Sequence, residues 1–145
     1  MITDIALIAA EFADENNYFF LTEYAAGANQ ALDEFELQDE KEYALWYNIL
    51  ERGNGAITPN ARLVEFRREI EFNIMAKSDT KDDKGYNYYP KVQQCITRAI
   101  QLAKYLAKEV YELQSFTVES AIDVDDATLV GAKLTVIIID QDVNC

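Results

Sequence analysis

The chain of 145 residues contains no histidine, which removes the side chain most often used as a general base near neutral pH and the commonest transition-metal ligand. Its two cysteines, Cys95 and Cys145, lie far apart and show no metal spacing and no disulfide framework, and this points to a reducing compartment. Five glycines are scattered among turns, so there is no glycine-rich loop to cradle a phosphate. No apolar run approaches the length of a membrane span. The short run Ile5 to Ala10, flanked by Asp4 and Glu11 with no basic residue ahead of it, does not have the form of a secretory signal. Positive charge is the other shortage: 13 basic residues face 26 acidic ones, for a net charge of -13. Such a surface repels phosphate backbones and leaves counterion release little to work with, which argues against direct nucleic-acid binding. It suits plain solubility, a wall past which DNA slides without sticking, or a mimic of DNA that fills another protein's basic groove.

Half of the residues are hydrophobic and 12% are aromatic, the composition of a folded chain, and the length fits a single domain over 1–145. The most informative stretch is Ala61 to Lys77. Val64, Phe66, Ile70, Phe72, Ile74 and Ala76 share one side of a period-two pattern, with Glu65, Arg67, Glu69, Glu71 and Asn73 on the other, as in a long strand with one buried face. Arg68 interrupts the apolar side. There the buried row should split, or the strand should bulge or bend so that Arg68 reaches water or an acidic partner.

Around this strand the other elements follow in order. Apolar residues at helical spacing between 3 and 14, with Thr3 or Asp4 as cap, predict an amphipathic helix that Asn16-Asn17 would stop. Tyr18 to Tyr24 is a strand by its aromatic and branched content, Ala25 to Asp33 a loop or a short turn of helix, and Asp33 to Glu42 a solvated charged loop. Glu42 to Leu50 predicts a strand with Tyr43, Leu45, Tyr47 and Ile49 on one face and Ala44, Trp46, Asn48 and Leu50 on the other. Arg52-Gly53-Asn54-Gly55 and Pro59-Asn60 supply turn residues before the long strand.

Ser78 to Tyr89 carries Asp79, Asp82, Asp83 and Gly85, but the spacing is not that of a calcium loop and no closing glutamate follows. Pro90 opens the strongest helix, whose stripe runs Val92, Cys95, Ile96, Ala99, Leu102, Ala103, Leu106, Val110 and Leu113. Cys95 on that stripe is a small core residue. Phe116 to Val124 alternates as a strand, Asp123 to Ala127 turns the chain, and Leu129 to Asp140 forms the last strand, with Val130, Ala132, Leu134, Val136 and Ile138 inward. Ile137 and Ile139 load its other side, which calls for a partner subunit or the N-terminal helix as cover. The fold class is therefore α+β: a mainly antiparallel sheet of four to five strands packed by a long helix in the C-terminal half and an N-terminal helix.

That succession of elements resembles the tail-terminator or tail-completion proteins of tailed bacteriophages. The likeness is carried by Glu42-Tyr43-Ala44-Leu45-Trp46-Tyr47, the strand Glu65 to Asp79, the helix after Pro90, and the ending Asp125 to Val136. Ala44 stands where family members often have proline. The resemblance implies a structural virion protein, a single tail-terminator-like domain that forms or joins a ring at the head-tail junction, in the neck or at the top of the tail. Its partners would be copies of itself and other virion proteins, with DNA passing the lumen unbound, and it would be assembled in the host cytoplasm. No cofactor is implied. Trp46, Tyr47, Ile137 and Ile139 are candidate subunit contacts, and Arg67, Arg68, Glu69 and Glu71 candidate pairs across a head-to-tail interface. An enzyme is not expected: Asp123, Asp125 and Asp126 fit a turn, and no nucleophile, phosphate loop or metal motif accompanies them. An acidic module that mimics DNA and binds a basic partner is the alternative.

Overall fold

The computed structural model describes residues 4–22, 35, 40–48, 52–60, 63–77, 89–109, 113–124 and 129–141. Helix α1 (Ile5–Glu15) starts where Asp4 accepts a hydrogen bond from the Leu7 N–H at 3.1 Å, which satisfies one of the donors a helix start leaves orphaned. At its far end Asn17 is left-handed, with φ at 58°. The Asn17 N–H donates to the Asp14 carbonyl at 3.3 Å and the Tyr18 N–H to the Ala13 carbonyl at 2.8 Å. This pair of bonds is the Schellman termination, and asparagine is one of the few residues with a side chain that tolerates the left-handed position. The stop expected at Asn16-Asn17 is made in this way, and it turns Tyr18 into the core.

Among the described residues six strands form one mixed sheet, against an expectation of four to five. They are β1 (Phe19–Leu21), β2 (Tyr43–Tyr47), β3 (Arg52–Ile57), β4 (Leu63–Lys77), β5 (Leu113–Val124) and β6 (Leu129–Gln141). The order across the sheet is β1-β2-β4-β6-β5, with β1 parallel to β2 and every other pair antiparallel. The sixth strand is β3, the Gly-rich segment expected to be a turn. It lies end to end with β2 along the same edge of β4: β2 opposite Phe72 to Ala76, β3 opposite Leu63 to Glu69. A Cβ on Gly53 would lie 2.5 Å from Cζ of Phe66, so the ring across the ladder takes the space a side chain would need. Cross-strand packing here outweighs the turn preference of glycine.

Helix α2 (Tyr89–Glu109) buries Val92, Cys95, Ala99, Leu102, Ala103 and Leu106, the stripe the sequence predicts as far as Leu106 except for Ile96, which is only partly buried at its border. Leu113 does not extend that stripe; it opens β5 instead. Both helices lie on one face of the sheet. There they cover Tyr43, Leu45 and Tyr47 of β2, Ile70, Phe72, Ile74 and Ala76 of β4, and Ala132, Leu134, Val136 and Ile138 of β6. Each large side chain so buried contributes about 1.5–3 kcal/mol. The N-terminal helix therefore gives no cover to Ile137 and Ile139, which point to the opposite face.

Two further expectations are corrected. Phe35, inside the run expected to be a solvated loop, is helical and 0% exposed. Of the ways offered for Arg68, splitting the buried row and reaching water are not taken: it is 4% exposed on the helix side, in contact with other groups of the chain, and the register of β4 with β6 is unbroken from Glu65 to Lys77. Among the described residues the irregularity on the other edge of β4 falls between Ala56 and Ile57, away from Arg68. Ala25 to Asp33, the rest of the charged run before Glu40, the acidic segment 78–88 and the turn at 125–127 lie outside the described residues.

Candidate subunit interface on the open sheet face

The period-two rule that sends Ile70, Phe72 and Ile74 under the helices sends Arg67, Glu69, Glu71 and Asn73 to the opposite face. In register beside them on β6 stand Ile139, Ile137, Thr135 and Lys133 respectively. Ile137 and Ile139 are half-buried there, among polar neighbours. Lys133 reaches diagonally to Glu71, with Nζ 3.2 Å from Oε1 and both side chains about a third exposed (37% and 34%). A pair so exposed contributes under about 1 kcal/mol.

One end of this face is closed by the chain itself. Leu21, Phe35, Ala44, Met75 and Leu129 form a second buried cluster, with Phe19 and Trp46 packed against it. The Lys77 ammonium stands 4.8 Å from the centre of the Phe35 ring. Gly131 sits beside that cluster for a steric reason, since a Cβ there would lie 2.2 Å from the Ile74 carbonyl oxygen.

At the other end the sheet runs out into an arm. β5 begins at Leu113, opposite Ile138, and Ile138 is opposite Arg68; Glu65 to Arg67 and Ile139 to Gln141 continue past it. On the outer edge of that extension lies β3, exposed at all six positions. The hairpin closes through Thr58, Pro59 and Asn60, and Ile57 beside this turn is 73% exposed. Within the hairpin Arg68 opposite Gly53 is buried and Phe66 half-buried, so the area left bare is that of β3 itself, an edge strand that can take a partner.

Of the eight residues proposed from the sequence, Arg67, Glu69, Glu71, Ile137 and Ile139 lie on the open part of this face, and Trp46 lies on the same side at the end that the chain's own cluster closes. The other two do not. Tyr47 (8% exposed) and Arg68 (4%) are buried on the helix side, and a neighbouring subunit has no access to them. The reason is local, since Trp46 and Tyr47, like Arg67 and Arg68, are chain neighbours in a strand and must point to opposite faces. Sequence reasoning missed the arm, because the glycines at 53 and 55 hide a strand whose partner lies across a turn. It also missed Lys133, which is recognisable only once the register with β4 is known.

Chemistry of other kinds finds little support in the geometry. Cys95 is buried in the core, with Sγ 3.9 Å from the Val130 carbonyl, and burial pushes its thiol up to about 12, which keeps it protonated and unreactive. Among the described residues no three His, Cys, Asp or Glu side chains are grouped to hold a metal ion. No helix among the described residues is long and apolar enough to cross a membrane. No protein-family model matches the chain, and no curated protein compared with it matches either.

Proposed function

We propose that this chain is a structural virion protein of a tailed bacteriophage, forming or joining a ring at the head-tail junction as a neck or tail-terminator subunit through which DNA passes. The observation that carries the reading is the edge strand β3, exposed at all six positions, at the end of an open sheet face where Ile137 and Ile139 are only half covered. The arm of one copy laid over the open face of the next would bury both, and a head-to-tail contact of this kind closes into a ring when its rotation allows. Arg67 and Glu69 flank the isoleucines and would set the register of that contact. The net charge of -13 suits a channel wall that DNA does not stick to. The proposal includes no catalytic role and no cofactor, with copies of itself and other head-tail proteins as partners.

Size-exclusion chromatography with light scattering, followed by negative-stain imaging, tests it. A ring, or incorporation into a ring made by other virion proteins, is expected. A monomer or dimer that instead captures a basic protein would favour the second reading, an acidic mimic of DNA, which rests on the same net charge.

A further inference from the structure

Four of the 13 basic residues of this acidic chain line two clefts that share Gln94, although the Lys77 ammonium itself is turned to the Phe35 ring. Lys41, Lys77 and Lys91 line a cleft of about 320 Å³ together with Tyr43 and Gln94. Gln94 also lines a second cleft of about 270 Å³, which continues along α2 past Gln93, Thr97, Arg98 and Gln101. Among the described residues lining the two clefts, Glu42 is the one carboxylate.

Three of these cations spend their hydrogen bonds on neutral oxygens. Lys41 Nζ donates to Asn17 Oδ1 at 2.6 Å, Lys91 Nζ to the Lys77 carbonyl at 2.5 Å, and Arg98 Nη1 to the Tyr18 hydroxyl at 2.8 Å. The Arg98 guanidinium also lies 4.0 Å from the centre of the Tyr43 ring, and the Tyr43 hydroxyl donates to Gln94 Oε1 at 2.5 Å. These contacts hold Lys41, Lys91 and Arg98 in place without neutralising them among the described residues, and a held cation with no carboxylate partner favours an anionic ligand.

The shape decides which anion. From Lys91 to Gln101 the helix rises about 15 Å, the span of about five residues of extended chain. Between the cations the wall offers amides and a hydroxyl, groups that bond to peptide N–H and C=O. We propose that this groove binds an extended acidic peptide segment of a partner protein, its carboxylates on Lys41, Lys91 and Arg98 and its backbone on Gln94, Thr97 and Gln101. The site does not depend on the ring reading.

The test is fluorescence anisotropy with labelled hexaglutamate and hexaglutamine peptides at low salt, about 50 mM. Saturable binding of hexaglutamate alone is expected. The double variant Lys41→Glu with Lys91→Glu should weaken it at least about tenfold, whereas Lys104→Glu with Lys108→Glu, an equal charge change on α2 outside the groove, should leave it within about threefold. If the first double variant fails to fold by circular dichroism, Gln101→Glu, exposed in the groove, should still weaken binding about threefold or more. Absence of hexaglutamate binding, or equal loss in both double variants, overturns the proposal. Calorimetry with pyrophosphate supplies the other arm: pyrophosphate binding that depends on Lys41 and Lys91, without peptide binding, assigns the groove to a small anion and overturns it as well.

Discussion

Ile137→Lys separates folding from assembly, because the register of β6 gives the new side chain a partner within its own chain. Ile137 lies directly opposite Glu69 on the open face. In the isolated subunit the added ammonium faces that carboxylate, and a cross-strand pair of opposite charges contributes about 0.2–1 kcal/mol. This offsets part of what is lost by removing a half-buried isoleucine, and stability should change by no more than about 1 kcal/mol. At a subunit contact the balance is different. The interface forfeits about 1.5–3 kcal/mol of apolar burial and must in addition draw an ammonium out of water, at an effective cost of several kcal/mol that Glu69 only partly offsets. A loss of at least about 3 kcal/mol per contact weakens association more than about 100-fold. Sedimentation velocity over a concentration series reads the assembly, and thermal unfolding of the dissociated chain reads the fold. Leu7→Lys is the matched control, since Leu7 is 57% exposed on α1, in the layer on the opposite side of the sheet. Should Ile137→Lys assemble as the parent does, or Leu7→Lys dissociate equally, the open face is not the contact surface.

Three further outcomes follow from the packing. Gly131→Ala should cost about 2–4 kcal/mol and lower the melting temperature by about 5–15 °C, because its Cβ would meet a backbone oxygen in the central β4–β6 ladder; Gly53→Ala, which meets only the Phe66 ring, should cost under about 1 kcal/mol. Equal melting temperatures for the two glycine variants would refute the distinction. Leu102→Ala, at a position 0% exposed between α2 and the sheet, should cost about 2–5 kcal/mol in denaturant titration, and a loss below about 1 kcal/mol would show that this core is loose. Burial raises the folded Cys95 thiol from 9.0 to about 12. The folded state thus holds this proton more tightly, and the associated stability is complete below pH 9 and is lost as pH rises from 9 toward 12, up to on the order of 4 kcal/mol. In a Cys145→Ser background, thiolate absorbance at pH 10 should stay low until denaturant is added; prompt absorbance in the native protein would contradict the burial.

The amino-acid sequence by itself determined those features whose physics is local. The start of α1 at Thr3 or Asp4, the stop at Asn16-Asn17, the stripe of α2 as far as Leu106 and the alternation of β4 and β6 each depend on residues a few positions apart, so spacing alone reveals them. Alternation also separates Trp46 from Tyr47 and Arg67 from Arg68, but it does not say which face the helices take. Only the tertiary structure decided that, by placing both helices over Ile70, Phe72 and Ile74, which buried Tyr47 and Arg68 and left Ile137 and Ile139 on the other side. It also decided that Gly53 and Gly55 belong to a strand, that β1 joins β2 in parallel, and that Phe35 is sealed within a run of charges. In each of these cases the stabilising partner is distant in the chain: Phe66 for Gly53, Ala44 to Trp46 for β1, and Met75 and Leu129 for Phe35. A local pattern carries no information about a partner that only folding brings near.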